Sequence, residues 1–591
     1  MIEARFDDLT PGTERAFRMV EPVGVVEARR PGEVPSALAT LEGAAARGLW
    51  AAGFVTYEAA PGLDPDLAVR TRDPDDPFAH LPVLWFAMFQ GREDLPVLEP
   101  PERVRPLPQE SPWQPSVERA RYDADIERIR QRIAAGDVYQ VNHTLRLRAR
   151  VDGDEHDLYR DLALAQRGGY AAYLNLGRYR VLSASPELFF RIDDERITTR
   201  PMKGTTPRGR WPEEDDAAAH RLLESRKDRA ENAMIVDLLR NDLGRIARAG
   251  SVRVERMFEA ERYETVWQLT STIAAQLQPG TRIADVFGAL FPSGSVTGAP
   301  KVASMRVIAE LEDSPRGVYT GAVGYLAPRA SGEPRANFNV AIRTVVLNAE
   351  TGLAEYGVGG GVTHDSSAAG EYEEALAKAR VLTVRRPSFH LYETLRHDAK
   401  EGYAHIREHL ARLAASARYF GFRFAEDAVA AALENAAAEL HGDGRVRLTL
   451  FRDGRAETEI SAPLDPSPGP VRVALDRDPV DRSDVWLFHK TSLREPYERR
   501  RAARPDVDDV LLVNQHGEVT ESTIANVAVK TEGVWVTPPL ESGLLPGTFR
   551  AVLLRDGRLQ ERPVTVQELR GAEELALVSS VRGWRAAVFV P

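Results

Sequence analysis

The stretch "ITTRPMKGTTPRGR", residues 197 to 210, sets one lysine, Lys203, between a polar strand-like run and a Gly-Thr pair. Most lysines are solvated surface cations. A lysine delivered to a pocket by a strand is different: its unprotonated amine can act as a nucleophile. Carboxylates form the second group with usable spacing. Asp228 and Glu231 are three apart, as are Glu371 and Glu374, so on helices each pair shares a face. Two such faces suit a hard cation such as Mg²⁺, which takes oxygen ligands and keeps waters that a substrate anion can replace. The same acids would also complement helix dipoles. The third group could bind anions. "FPSGSVTGAPK" (291 to 301) lacks the Ser/Thr that ends a phosphate-binding P-loop, and "YGVGGGVTHDS" (356 to 366) does not fit GxGxxG. Their glycines suit either a backbone nest for a carboxylate or an ordinary tight turn. Arg343, in "NVAIRTVV", reads as a member of an apolar strand that offers a fork to a carboxylate or joins an ion pair.

Periodicity predicts the elements that must hold these groups. "RYDADIERIRQRIAAGD" has helical spacing up to Gly136, and "VYQVNHTLRLRARV" then alternates as a strand. Residues 181 to 202 read as two strands around the turn Asp193-Asp194-Glu195, with Glu187 before the first and Lys203 after the second. A helix is expected through "RKDRAENAMIVDLLRNDLGRIARAG", with Met234, Ile235, Leu238, Leu239 and Ile246 on one side and Gly250 as its stop. Another is expected over 371 to 386. Pro-rich stretches at 95 to 115 and 461 to 476 read as an extended connection and as a break. At about residue 387 the text restarts as strand, turn, short strand and amphipathic helix, which is how a new domain begins.

A chain of 591 residues with 43% hydrophobic content supports several cores. No apolar run approaches a membrane span and the N-terminus "MIEARFDDLT" is acidic, so a cytoplasmic, membrane-free protein is expected. A net charge of -11 with mixed signs leaves no basic stripe for nucleic acid. The absence of cysteine excludes disulfides, thiolate metal sites and a thioester-forming glutaminase within the chain.

The blocks "GDVYQVN", "SPE", "PMKGT", "AENAMIVDLLRNDLGR", "FPSGSVTGAPK", "GAVGYL", "VAIRT" and "GGGVTHDS" stand in one order over residues 115 to 385, and in that order they resemble the chorismate-utilising enzymes. The resemblance implies a large α+β fold with a central antiparallel β-sandwich and surrounding helices, Mg²⁺ dependence, and chorismate as substrate. By motif, Glu231 and Glu374 would be metal ligands, with Asp228 and Glu371 beside them through water. Gly204, Thr205, Tyr325, Arg343, Gly359, Gly361 and Lys378 would hold the substrate's carboxylates or ring. Members that add water to chorismate carry lysine where this chain has Gln140. Anthranilate-forming members carry alanine where this chain has Lys203, and aminodeoxychorismate synthases carry lysine. In the mechanism this implies, Lys203 attacks C2 of the ring, Glu187 protonates the departing hydroxyl, and ammonia enters at C4. Such a lysine needs a lowered pKa, for which Arg200 and the metal are candidate causes. Gln268 stands where many relatives have histidine and cannot serve as an acid.

"REHLARLAASARYFGF", "LFHKTSLREPY", "LLVNQHGEVTESTIANVAV", "TPPLESGLLPGTFR" and "VSSVRGW" resemble, in order, the fold-type IV pyridoxal phosphate enzymes, a two-subdomain fold typified by D-amino-acid aminotransferases. The resemblance makes Lys490 the residue bonded to the cofactor and the general base, Glu521 the partner of the pyridinium nitrogen, and Arg412 the phosphate ligand, with the backbone of Thr548 and Phe549 completing the cup. Arg447 is a weaker candidate for a substrate carboxylate. The expected organisation is an N-terminal region over 1–114, a chorismate-binding catalytic domain over 115–386 and a pyridoxal phosphate domain over 387–591. The expected function is bifunctional synthesis of 4-aminobenzoate, a folate precursor, with ammonia from a partner glutamine amidotransferase. An anthranilate or isochorismate synthase fused to a class IV aminotransferase is the alternative. Fold-type IV relatives also suggest a homodimer through the second domain.

Overall fold

The computed structural model describes residues 2–101, 112–383, 385, 387–464 and 469–591. The middles of the two Pro-rich stretches, and two positions near the end of the helix expected over 371 to 386, lie outside the described residues. The chain forms two compact units. The first contains Met1–Arg208 and Ala218–Ser388, and the second contains Gly209–Ala217 and Phe389–Pro591.

In the first unit eighteen strands are linked in one antiparallel network among the described residues. The N-terminal strands are woven into it: Glu3–Asp8 pairs with Tyr170–Asn175, and Trp50–Val55 pairs with Ala322–Leu326. Its central pair is Gln140–Arg150 against Leu353–Val362, with Asn142 opposite Gly361 and Thr144 opposite Gly359. Apolar alternation along these strands buries Val141, Leu145, Leu147, Tyr356 and Val358 in one core against the helix Arg119–Ala134. A second core packs the helix Arg226–Gly244, through Ile235, Val236, Leu239 and Leu243, on strands that include Val266–Gln276.

Several expectations change. Pro186 divides the expected first strand of the hairpin into Tyr179–Ser185 and Leu188–Asp193, since proline cannot donate to a ladder. The long helix ends at Gly244, six residues before Gly250, because the chain turns inward to pair with the next sheet: Ala247 bridges Leu277, and Arg248 N–H donates to Gln276 (2.8 Å). The helix expected from 371 runs over Ala368–Lys378 and tightens into a 3₁₀ turn, Ala379–Leu382. Its last carbonyl is capped: Arg343 Nη1 and Tyr356 Oη both donate to Lys378 O, placing a cation at the negative end of the helix dipole. Arg343 is not in a strand. It lies between Ala336–Val340 and Thr344–Asn348 with φ 53°, a left-handed conformation that turns the chain. "GVGGGV" is neither nest nor turn but the end of an extended strand, Leu353–Val362.

The second unit has two sheets. A four-stranded antiparallel sheet, built on Leu391–Asp398 and Gly444–Leu450, is covered by the helices Ile406–Phe420 and Glu426–Glu439. A mixed eight-stranded sheet contains Asp509–Val513, Val519–Ser522, Asn526–Thr531, Glu574–Ser579 and Gly583–Phe589. Residues Gly209–Ala217 belong to this unit: Trp211 packs 5.1 Å from Phe488, and Tyr419 Oη donates to Gly209 O (2.7 Å).

Candidate active sites

Lys203 reaches its position through a β-bulge. Met202 faces Thr270 and Thr205 faces Gln268, so Lys203 and Gly204 occupy a stretch with one residue more than its partner strand. Gly204 takes φ 98°, open to glycine, and a side chain there would press on Asp228 Cβ at 2.9 Å. A bulge bends its strand and re-aims side chains. Here it sends Lys203 into a cavity of about 380 Å³ that also takes in Glu187, Asp228, Glu231, Glu371 and Glu374. The floor is the glycine run. A Cβ on Gly361 would lie 2.2 Å from Gln140 Nε2 and 2.6 Å from Lys203 Nζ, so the bare backbone leaves room for both polar ends. Gln140, an expected substrate contact, is buried behind the glycine run and is not among the residues that line the cavity; among the described residues neither of its amide atoms has a hydrogen-bond partner.

Burial lowers the Lys203 pKa, and the Lys378 ammonium lowers it further, against the opposing pull of Glu231, Glu374 and Glu187. The expected neighbour, Arg200, is instead paired with Glu261. Burial pushes the Glu187 carboxyl up to about 7, while Ser295 Oγ, donating to Oε1 at 2.6 Å, and Lys203 pull it down. Lys378 Nζ donates to Gly359 O and pairs with Glu374, both at 2.8 Å. Gly204, Thr205, Arg343, Gly359, Gly361 and Lys378 all line the cavity, and Thr205 Oγ1 donates to Gln268 Oε1 at 3.1 Å. Tyr325 does not. Its ring is buried among Phe6, Phe17 and Trp50, 5.1 to 6.0 Å away, and Tyr319, six residues earlier, lines the cavity in its stead. The sequence reading also missed Ser295 and Asn142. Lys301 is structural, paired with Asp242 at 3.0 Å.

The four acids are oxygen donors of the kind Mg²⁺ takes, and they line one cavity. Among the described residues they do not close into a group of three around one point. Each is held locally instead: Asp228 by Ser225, Glu371 by Ser366 (2.6 Å), Glu374 by Lys378 and Glu231, more loosely, by Lys227 at 4.0 Å. The donor chemistry therefore fits a metal that draws much of its shell from water and substrate.

The second cavity, of about 810 Å³, is lined by Lys490, Glu521, Arg412 and Thr548. Burial, helped by Arg412, lowers Lys490 to about 8; its Nζ lies 4.8 Å from the Tyr392 ring centroid. Burial raises Glu521 to about 8, and Leu545 N–H and Asn526 Nδ2 donate to its Oε2 at 3.2 and 3.4 Å. Arg412 is oriented by a residue the sequence reading missed. Buried Glu393, which the Arg412 guanidinium and His409 hold down to about 2, accepts from Arg412 Nε and Nη2 at 2.8 and 2.6 Å. Arg412 Nη1 donates to Pro546 O (3.0 Å), leaving two of its five N–H donors for an anion. The helix Thr548–Arg555 begins beside it, with first-turn N–H groups that have no intrahelical acceptor. The Phe549 ring stacks on His405 away from the cavity, so only its backbone can serve. Arg447 packs over the Tyr392 ring at 4.2 Å and does not line the cavity, whereas Arg445 does. An amine, an acid and an anion cradle in one cavity fit a phosphorylated pyridine aldehyde.

A family model described as chorismate binding enzyme matches residues 27–384, and one described as amino-transferase class IV matches residues 390–588. The chain belongs to the chorismate binding enzymes, with a class IV aminotransferase domain following in the same chain; that domain implies pyridoxal phosphate. Aminodeoxychorismate synthase component 1 of Escherichia coli (strain K12) is 42% identical over 268 residues, 45% of this chain and 58% of that protein. Anthranilate synthase component 1 of Aquifex aeolicus is 39% identical over 270 residues, 46% of this chain and 53% of that protein. The chain thus matches little more than half the length of these relatives. Anthranilate synthase component I from Streptococcus pneumoniae TIGR4 superposes with TM-score 0.53 at 27% identity, covering 63% of this chain and 93% of that structure. No helix among the described residues is long and apolar enough to cross a membrane.

Proposed function

We propose that this chain makes 4-aminobenzoate from chorismate in two steps, one in each cavity. The observation that carries the reading is the bulge that brings Lys203 into the first cavity beside the bare Gly361 backbone, in a chain whose second cavity holds Lys490, Glu521 and Arg412. In the first cavity Lys203 attacks C2 of chorismate while Glu187 gives a proton to the departing 4-hydroxyl. Ammonia then enters at C4 and expels the lysine. The balance is one ammonia gained and one water lost, giving 4-amino-4-deoxychorismate. A depressed Lys203 pKa and a raised Glu187 pKa support these roles, since one must be neutral to attack and the other protonated to donate. Mg²⁺ would be held by Glu231 and Glu374, with Asp228 and Glu371 through water, and would neutralise a substrate carboxylate. Ammonia would come from a partner glutamine amidotransferase, because a chain without cysteine lacks the usual thiol for that hydrolysis.

In the second cavity Arg412 and the N–H groups of Thr548 and Phe549 would bind the cofactor phosphate, and Glu521 would keep the pyridinium proton in place. Pyridoxal phosphate, when bound, supplies an electron sink to the carbon bearing the substrate amine. Lys490 would take the proton from that ring carbon and return one to the departing enolpyruvate, leaving pyruvate and an aromatic 4-aminobenzoate. The similarity to anthranilate synthases keeps a second reading open, in which the first cavity forms anthranilate; Lys203 opposes it. The test supplies the pure chain with chorismate, Mg²⁺, ammonium and pyridoxal phosphate. 4-Aminobenzoate and pyruvate in equal amounts are expected. Anthranilate as product would overturn the first half, and replacing ammonium with glutamine should stop the reaction of the chain alone.

A further inference from the structure

The second cavity carries positive charge for which the cofactor has no use. Arg445, Arg501, Arg582 and Arg585 line it, and they come from the strand Gly444–Leu450, the helix Glu495–Ala502, and the turn and second strand of the hairpin that ends in Gly583–Phe589. Arginines on either side of Arg501 have acids of their own: Arg500 pairs with Asp476, and Arg504 pairs with Asp506 at 2.9 Å. Among the described residues no carboxylate is ion-paired, within 4.0 Å, with any of these four; Arg494, which lines the cavity as well, donates to Thr523 O. Two acids share that wall, and the charge of one of them, Asp509, acts on Arg582 without an ion pair between them. Asp508 accepts from Arg472 N–H at 2.8 Å, and Asp509 accepts from Thr523 Oγ1 at 2.5 Å and Val510 N–H at 2.8 Å. Burial and then Arg585, Arg501 and Arg445 hold the Arg582 pKa below its ordinary value, against a smaller opposing pull from Asp509, so the four arginines feel one another. Gathering like charges without partners costs free energy, and an anionic ligand offsets it.

The phosphate of the cofactor is already served by Arg412 and the helix at Thr548. We propose that Arg445, Arg501, Arg582 and Arg585 form a carboxylate-binding wall that makes this cavity selective for diacid amines. The inference rests on the lyase reading above and deepens it. 4-Amino-4-deoxychorismate carries one carboxylate on the enolpyruvyl group beside the amine-bearing carbon and a second across the ring, whereas a branched-chain amino acid has only one. Arginine forks suit carboxylates in two-point contact, and a positive wall also concentrates dianions ahead of monoanions.

The test uses the full chain with pyridoxal phosphate bound and two unreactive probes, 3-(carboxymethoxy)benzoate and 3-methoxybenzoate, which differ by one carboxylate. Binding is read from the shift of the visible band of the bound cofactor. The diacid is expected to bind at least about tenfold more tightly, the weight of a charged hydrogen bond, and to lose more affinity than the monoacid as salt rises. In R582Q/R585Q the preference should fall to within about threefold. R501Q, on an exposed helix where folding is not at stake, should lower it by at least about threefold. Equal affinity of the two probes for the unaltered chain, or an unchanged preference in both variants, would overturn the wall. If the diacid is preferred but no pyruvate is released from aminodeoxychorismate, the lyase reading falls and the wall stands. If pyruvate is released without a diacid preference, the wall falls and the lyase reading stands.

Discussion

Glu187 illustrates how one hydroxyl can set a working pH. Its carboxyl is buried, and burial favours the protonated form up to about 7, so as a general acid it is competent below that pH and lost above it. Ser295 Oγ donates to Oε1 at 2.6 Å, a bond that favours the ionised form and so lowers the pKa. Ser295→Ala should therefore raise it. A hydrogen bond to a charged group is worth about 1.5–3 kcal/mol, or roughly one to two pKa units. The alkaline limb of kcat/KM for aminodeoxychorismate formation is expected near pH 7 in the unaltered chain and about one unit higher in Ser295→Ala. A limb that stays in place or moves down would remove Glu187 from the role of acid. Lys203 has its own check at this scale: with chorismate but no ammonia, the intact mass should rise by chorismate less one water, and Lys203→Ala should abolish that rise.

At the scale of elements, the strand Leu353–Val362 separates two uses of glycine that look alike in sequence. A Cβ on Gly359 would meet backbone, His143 O at 2.2 Å and Thr144 Cα at 2.7 Å, which cannot yield without parting the central pair of strands. A Cβ on Gly361 would meet only the ends of Gln140 and Lys203, which can swing away. Gly359→Ala should thus lower stability by about 1–3 kcal/mol, read as a drop in the melting temperature. Gly361→Ala should melt within a degree or so of the parent while losing most synthase activity, since it displaces the two groups that define the reaction. Equal melting and equal activity in the two variants would show that the strand is more pliant than its contacts imply. Block order in the sequence already located Lys203, Glu187, the paired acids and the glycine floor. Period-two alternation could not say which tyrosine of "VYTGAVGYL" lines the cavity, because Tyr319 precedes the strand Ala322–Leu326 and Tyr325 sits on its core face. The helix stop was misplaced for a similar reason: Gly250 has the positive φ of a stop, but pairing of Ala247 with Leu277 ends the helix first. Glu393, Ser295 and the arginine wall act through contacts between segments far apart in the chain, for which no local spacing exists.

At the scale of the whole molecule, the lining of each cavity comes from one unit only, and the two cavities have no reacting group in common. The two half-reactions should therefore separate cleanly by mutation. Lys490 has its pKa lowered to about 8 by burial and by Arg412, which suits it to act as a base near neutral pH. Removing a positioned base costs about 10²–10⁴ in rate, and the loss should fall wholly on the second step. With chorismate, Mg²⁺, ammonium and pyridoxal phosphate, Lys490→Ala is expected to consume chorismate at the parental rate and to accumulate 4-amino-4-deoxychorismate, with pyruvate release slowed at least about 100-fold. Added parental chain should then convert the accumulated material to 4-aminobenzoate and pyruvate. The complementary variant, Lys203→Ala, should release pyruvate normally from supplied aminodeoxychorismate. If Lys490→Ala instead slows chorismate consumption as much as it slows pyruvate release, the two cavities do not work independently. If 4-aminobenzoate output is unchanged, the second unit has no part in making it, and the class IV domain must act on another amine.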